Sequence, residues 1–167
     1  MDKKYYTTKY ERVRHSTNAF KGENKTIFDQ FQKVVFPVLE IDESLSKKVI
    51  FKVVIVDTVR KEILLYDPVT PLDKNRVPIG REDKHLIAIA SYVEQEYYDK
   101  SYLTINVADT WRLLRADCTN TSDTSMSSLY CCYYLYTILK GVRQHFFDGK
   151  EISKFHRKLK GMVKKFK

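Results

Sequence analysis

The chain has few cysteines, no long hydrophobic run and too few acids to balance its bases. Its three cysteines are Cys118, Cys131 and Cys132. They are odd in number, two are adjacent, and none shows a C-x-x-C or Cys/His ligand spacing. That argues against a disulfide framework and a structural zinc site, and for a reducing intracellular compartment, nucleus or cytoplasm rather than an organelle. No apolar stretch approaches the roughly 20 residues that a membrane span needs, and the amino terminus has no signal-peptide core. No internal repeat is visible, no named nucleic-acid motif occurs, and no metal or cofactor is expected.

The shortage of acids is the first positive signal. Thirty Lys and Arg stand against 21 Asp and Glu, a net charge of +9, and the excess is uneven. From Glu151 to Lys167 there are seven basic residues and one acid. A basic surface attracts polyanions by a sequence-independent, salt-sensitive mechanism. Lys154, Arg157, Lys158, Lys160, Lys164, Lys165 and Lys167 are therefore candidate binding residues, for nucleic acid, anionic lipid or an acidic protein. Charge alone does not choose among them, and a solvated helix face explains the same pattern. Twelve tyrosines and nine phenylalanines fit either ordinary core content or a protein interface.

What the chain has in quantity is β-forming sequence between Ile50 and Asp67. Phe51 to Val56 is nearly continuous in apolar, mostly β-branched residues, Asp57 to Lys61 is a polar connection, and Glu62 to Tyr66 is a second β-type run. The pattern predicts a hairpin buried inside a mixed sheet. Pro68 biases Asp67 away from helical geometry, so a carboxylate stands at the end of a core strand. Such an Asp is a turn residue or a catalytic orienter.

At 167 residues one domain with a sizeable core is expected. Residues 1 to about 25 read as a polar, irregular arm laid on that domain, held there by partner chains. Lys25 to Gln32 gives a short helical turn, with Ile27, Phe28 and Phe31 able to face the core. Lys33 to Leu39 is a strand whose Pro37 places it at an edge or a bulge. Apolar residues at 86, 89, 90, 93 and 97 predict an amphipathic helix. Tyr102 to Ala108 alternates and is expected as a strand. A helix is expected from about Met126 to Phe147, capped by Asp123, Thr124 or Ser125, with Leu129, Cys132, Tyr133, Tyr136, Ile138 and Leu139 buried. Beyond Gly149 a last helix carries Ile152, Phe155, Leu159, Met162 and Val163 opposite its lysines.

This order resembles the ubiquitin-like-protein-specific cysteine proteases, the SUMO protease family. The matching segments are Ile27-Phe28, Phe36-Pro37-Val38, Val53 to Asp57, Tyr66-Asp67 and Trp111, with Asn120 and Asp123 at the family's spacing, over about residues 25 to 142. The resemblance implies an α+β, papain-like cysteine protease fold with a mixed central sheet flanked by helices. It implies a polar arm over 1–24, a SUMO-protease-like domain over 25–148 and a basic helical tail over 149–167.

The same resemblance shows its chemical positions substituted. Counting back from Asp57, the family's His-Trp pair falls on Ile50-Phe51, and isoleucine accepts no proton. Asp67 occupies the orienter position with no imidazole to hold. Thr124 falls where the nucleophilic cysteine belongs, and Cys118 on the oxyanion glutamine. Thr124 at a helix start, with His85 approaching Asp67, is the alternative enzyme site, while Cys131 lies inside a helix where thiols are usually inert. The expected function is a catalytically inactive, protein-binding or structural subunit of a larger complex, with a ubiquitin-like protein among its expected partners. The alternatives are a nucleic-acid-binding subunit using the basic tail and a divergent active peptidase of ubiquitin-like proteins.

Overall fold

The computed structural model describes residues 25–42, 48–72, 83–142 and 146–164. The amino-terminal arm, His15, His145, Lys165 and Lys167 lie outside the described residues. Among the described residues, no helix is long and apolar enough to cross a membrane.

Helix α1 is Ile27–Gln30, followed by strands β1 Lys33–Asp42, β2 Lys48–Asp57 and β3 Glu62–Tyr66. Helices α2 Lys84–Ser101 and α3 Val107–Thr110 precede strand β4 Arg112–Arg115. A 3-10 turn over Thr124–Met126 opens directly into α4 Ser127–Leu139, and α5 Gly149–Lys164 follows. The four strands form one sheet in the order β1-β2-β3-β4. Strands β2 and β3 are joined by a connection too short for a crossover, so they run antiparallel. Strand β4 pairs with β3 in parallel, Glu62 opposite Arg112. The sheet is thus mixed, with the expected hairpin inside it and the proline-bearing β1 at its edge.

The chain forms two compact units. The first gathers the described parts of residues 1–36, 54–65 and 74–115, and the second those of 37–53, 66–73 and 116–167. In the first unit Thr26 and Asp29 cap α1 reciprocally, the Asp29 carboxylate accepting from the Thr26 amide at 2.8 Å. This fixes Phe28 against Tyr92 and Tyr97 of α2, with ring centroids 6.2 and 6.0 Å away. Asp83 caps α2, whose Leu86, Ala90 and Val93 are buried as the helical period predicts.

The strand expected over Tyr102–Ala108 is not formed. Tyr102 ends α2 in the left-handed region, with φ 56°. Glu94 of α2 then accepts the Val107 amide at 2.7 Å, Asn106 caps α3, and the strand forms later, at Arg112–Arg115. Alternating hydrophobicity lost to a capped turn held by a neighbouring carboxylate.

In the second unit α4 stops at Leu139, short of the expected Phe147. Gly141 takes φ +70°, and the Val142 amide bonds back to Thr137 at 2.9 Å. A positive φ followed by such a back-bond ends helices. The buried face of α4 also differs from expectation. Leu129 is buried as expected, but Cys131 and Tyr134 are inside while Cys132 and Leu139 are exposed. Tyr134 fixes this rotation, because its ring packs 5.4 Å from Tyr66 and its hydroxyl donates to the Thr119 carbonyl. On α5, Ile152 and Phe155 are buried, and Met162 and Val163 remain exposed.

Candidate functional site

All four positions singled out for chemistry, Ile50, Asp67, Cys118 and Thr124, fall in the second unit. Ile50 is buried on β2. The amide of the next residue, Phe51, donates to the Ser127 hydroxyl at 3.0 Å, and its carbonyl accepts from the Cys131 thiol at 3.3 Å. These two bonds seat the start of α4 beside β2.

Asp67 lies directly after β3. Its Oδ1 accepts the amides of Val69 and Thr70, each at 3.0 Å, which makes it the first residue of a side-chain-closed turn. Its Oδ2 receives the Lys52 ammonium at 2.8 Å. Lys52 also reaches Glu40 of β1 at 2.6 Å, so one ammonium lies between two carboxylates. Burial alone would raise the Asp67 pKa, but the Lys52 hydrogen bond and the Thr70 and Val69 amides hold it below the usual carboxylate range. Burial would likewise lower the Lys52 pKa, but its bonds to Asp67 and Glu40 raise it above the ordinary lysine value. The Asp67 carboxylate is thus paired with a buried lysine.

The loop after β4 is stapled to this turn. Asn120 donates its amide to the Asp67 carbonyl at 3.0 Å, the Cys118 thiol meets the same carbonyl at 3.9 Å, and the Thr121 amide bonds the Pro68 carbonyl at 2.7 Å. Cys118 and Asp67 are therefore in contact, through the backbone oxygen rather than the carboxylate. The Cys118 thiol pKa is raised, chiefly by burial, and burial pushes Cys131 up to about 12. Neither sulfur is primed as a thiolate. Thr124 is buried at the head of the 3-10 turn, and the cap is Asp123, which accepts the Ser125 amide at 2.9 Å. His85 is the second residue of α2, in the first unit, where its amide is held by Asp83 at 2.9 Å. Among the described residues no cluster of His, Cys, Asp and Glu is arranged to hold a metal ion.

Sequence reasoning missed Lys52, Glu40 and Ser127. Lys52 carried a signal, as the one polar side chain inside the apolar run from Phe51 to Val56. A lysine on such a strand is almost never buried unless paired, and the pairing required acids at strand ends. Glu40 and Asp67 were the available ones.

No family model and no curated protein sequence matches the chain. Solved structures do. The SUMO protease Ulp1 with its catalytic cysteine oxidised to a sulfonic acid superposes with a TM-score of 0.61 at 19% identity, over 94% of this chain and 64% of that one. The fold is that of the SUMO proteases. The carboxy-terminal Ulp1 protease domain in complex with Smt3, the yeast ortholog of SUMO, gives a TM-score of 0.60 at 20% identity, over 89% of this chain and 57% of that one. The α+β, papain-like class of the SUMO-protease type expected from the sequence is therefore the fold observed. The chain spans between 57% and 64% of the length of these SUMO protease structures.

Proposed function

We propose that the chain is a pseudoprotease, a SUMO-protease-like domain without peptidase activity that serves as a protein-binding or structural component of a larger assembly in a reducing compartment. The observation that carries this reading is the state of Asp67. The residue at the orienter position is committed to Lys52 and two turn amides. The position of the base holds the buried Ile50. A missing general base costs about 10²–10⁴ in rate and a missing oxyanion donor about 10²–10³. Their combined loss, with no thiolate available, leaves hydrolysis negligible. Retention of the frame is better explained by recognition, and the solved Ulp1 domain in complex with Smt3 makes a ubiquitin-like protein the first partner to test.

The test uses SUMO and ubiquitin bearing a carboxy-terminal electrophile, with mass spectrometry as the readout. The expected result is no covalent adduct at Thr124, Cys118, Cys131 or Cys132, under conditions where an active SUMO protease is labelled to completion. An adduct at any of these residues, abolished by its substitution, favours the divergent-peptidase reading and overturns this one.

A further inference from the structure

Helix α5 has two faces with different tasks. Ile152 and Phe155 are buried and fix the helix to its unit, and the phenylalanine ring packs against Tyr133 and Tyr136 at 5.0 and 5.2 Å. Opposite them, Lys150, Lys154, Arg157 and Lys164 recur at helical spacing, flanked by Lys158 and Lys160, and all six are exposed. The only acid on α5 is Glu151. It is turned to the helix start, where its carboxylate accepts the Asp148 amide at 3.0 Å. The cationic row extends along about 21 Å of helix axis at 1.5 Å per residue.

A second feature of the same unit reports the local field. The Lys158 ammonium donates to the Tyr136 hydroxyl at 3.0 Å and lies 4.8 Å from the ring centroid, and Lys140 stands 4.9 Å from it. Two ammoniums thus converge on one neutral phenol. Hydrogen bonding by Lys140 and then Lys158 lowers the Tyr136 pKa to about 8. Two ammoniums at 4.8 and 4.9 Å from one ring mark the α4–α5 surface as locally cationic.

We infer that the exposed face of α5 is a binding surface for the phosphate backbone of a nucleic acid, with Lys150, Lys154, Arg157, Lys160 and Lys164 as its contacts. A straight row of cations matches a linear polyanion, whereas a single anion would meet only one or two of them. An anionic membrane is the weaker match. Shallow insertion requires an apolar face free to enter the lipid along the helix, and on α5 Ile152 and Phe155 are buried, which leaves only Met162 and Val163 exposed at its end. This surface is separate from the Asp67 turn and does not depend on the pseudoprotease reading.

The test is fluorescence anisotropy of the full chain with a labelled duplex and a labelled single strand of about 20 nucleotides, from about 50 to about 200 mM NaCl. Five backbone contacts predict a loss of about 500-fold in affinity over that range, from a slope of about −0.9 per contact. Lys154→Gln/Arg157→Gln/Lys164→Gln removes three contacts and should cut that loss to about 10-fold. Lys25→Gln/Lys48→Gln/Lys61→Gln removes the same charge from exposed positions elsewhere and should keep the wild-type slope. Equal weakening by both variants, no binding at about 50 mM, or binding to phosphatidylserine vesicles but to neither oligonucleotide each overturns the inference.

Discussion

Asp57 and Asp67 are the same device built twice. Each stands at the carboxyl end of a strand of the central hairpin, closes a turn by accepting one or two backbone amides on Oδ1, and takes a lysine on Oδ2. Asp57 accepts the Arg60 amide at 3.0 Å and the Lys33 ammonium at 2.6 Å. Asp67 accepts the Val69 and Thr70 amides and Lys52. The difference lies in the lysine. The Lys33 side chain is 45% exposed, whereas that of Lys52 is 9% exposed and is shared with Glu40. Asp67 thus does what Asp57 does one strand earlier. Burial of Lys52 makes the structural role of Asp67 the heavier of the two.

The largest expected effect tests that inequality directly. Lys52→Ala leaves the buried Asp67 carboxylate without its counter-charge. Removing one partner from a buried ion pair costs about 3–5 kcal/mol. Urea unfolding should show a loss of that size with little change in m-value. Lys52→Met combined with Asp67→Asn removes both charges and should recover most of it, because the Asn oxygen still accepts the turn amides and the partly exposed Glu40 reaches water. A double variant as unstable as Lys52→Ala would show that the lysine stabilises by something other than charge pairing.

The acid limb of the stability curve should respond next. Asp67 has a folded pKa lowered from 3.8. Its contribution is therefore complete above about pH 3.8 and is lost as pH falls through the folded value, where the native carboxylate is finally protonated. Lys52 is raised from 10.5, so its contribution persists to that pH and is lost only above it. Between these limits the pair is indifferent to pH. Asp67→Asn should flatten the acid limb, and Asp57→Asn, whose folded pKa is also lowered, should flatten it less. Unfolding midpoints from about pH 2 to pH 7 measure both.

A smaller effect concerns the loop that covers the Asp67 turn. Asn120 donates to the carbonyls of Asp67 and Thr70, at 3.0 and 3.4 Å. Asn120→Ala should cost about 0.5–1.5 kcal/mol, the net worth of a partly buried hydrogen bond. Among the described residues no such clamp is seen at the Asp57 turn, where Thr58 bonds the carbonyls of Phe31 and Gln32 instead. The asymmetry can be checked by hydrogen exchange, with the Val69 and Thr70 amides losing protection in the variant and the Arg60 amide keeping it.

How far these features could be read from the sequence depended on whether a local rule had a competitor. Pro37 marked an edge strand because no tertiary contact can supply its missing amide hydrogen. The hairpin and α2 were legible because strong periods ran unopposed. The Tyr102–Ala108 segment was not, since its fate was decided by Glu94, a neighbour on the preceding helix. The facing of α4 was not legible either. Tyr130 to Tyr136 is apolar or aromatic on every side, so hydrophobicity favours no rotation, and the choice was made by Tyr134 meeting Tyr66 and Thr119. At the candidate site, a buried aliphatic side chain at Ile50 and a carboxylate at the end of a core strand at Asp67 could be read from the sequence. That Lys52 holds Asp67 could not, because alignment compares like positions and the lysine sits two residues from the one that mattered.

The smallest effect closes the comparison from the Asp57 side. Lys33→Ala removes an ammonium as close to its carboxylate as Lys52 is to Asp67, so distance alone predicts equal losses. Solvent decides otherwise. Where Lys33 stands half in water, its removal lets water reach the Asp57 Oδ2, and the Arg60 amide still holds Oδ1. Exposed pairs are worth about 0.2–1 kcal/mol and weaken with salt. The cost of Lys33→Ala should fall in that range at low ionic strength and shrink further at about 1 M NaCl, while that of Lys52→Ala holds. A Lys33→Ala loss as large and as salt-resistant as that of Lys52→Ala would mean that burial of the aspartate, not of its lysine, sets the energy of these turns.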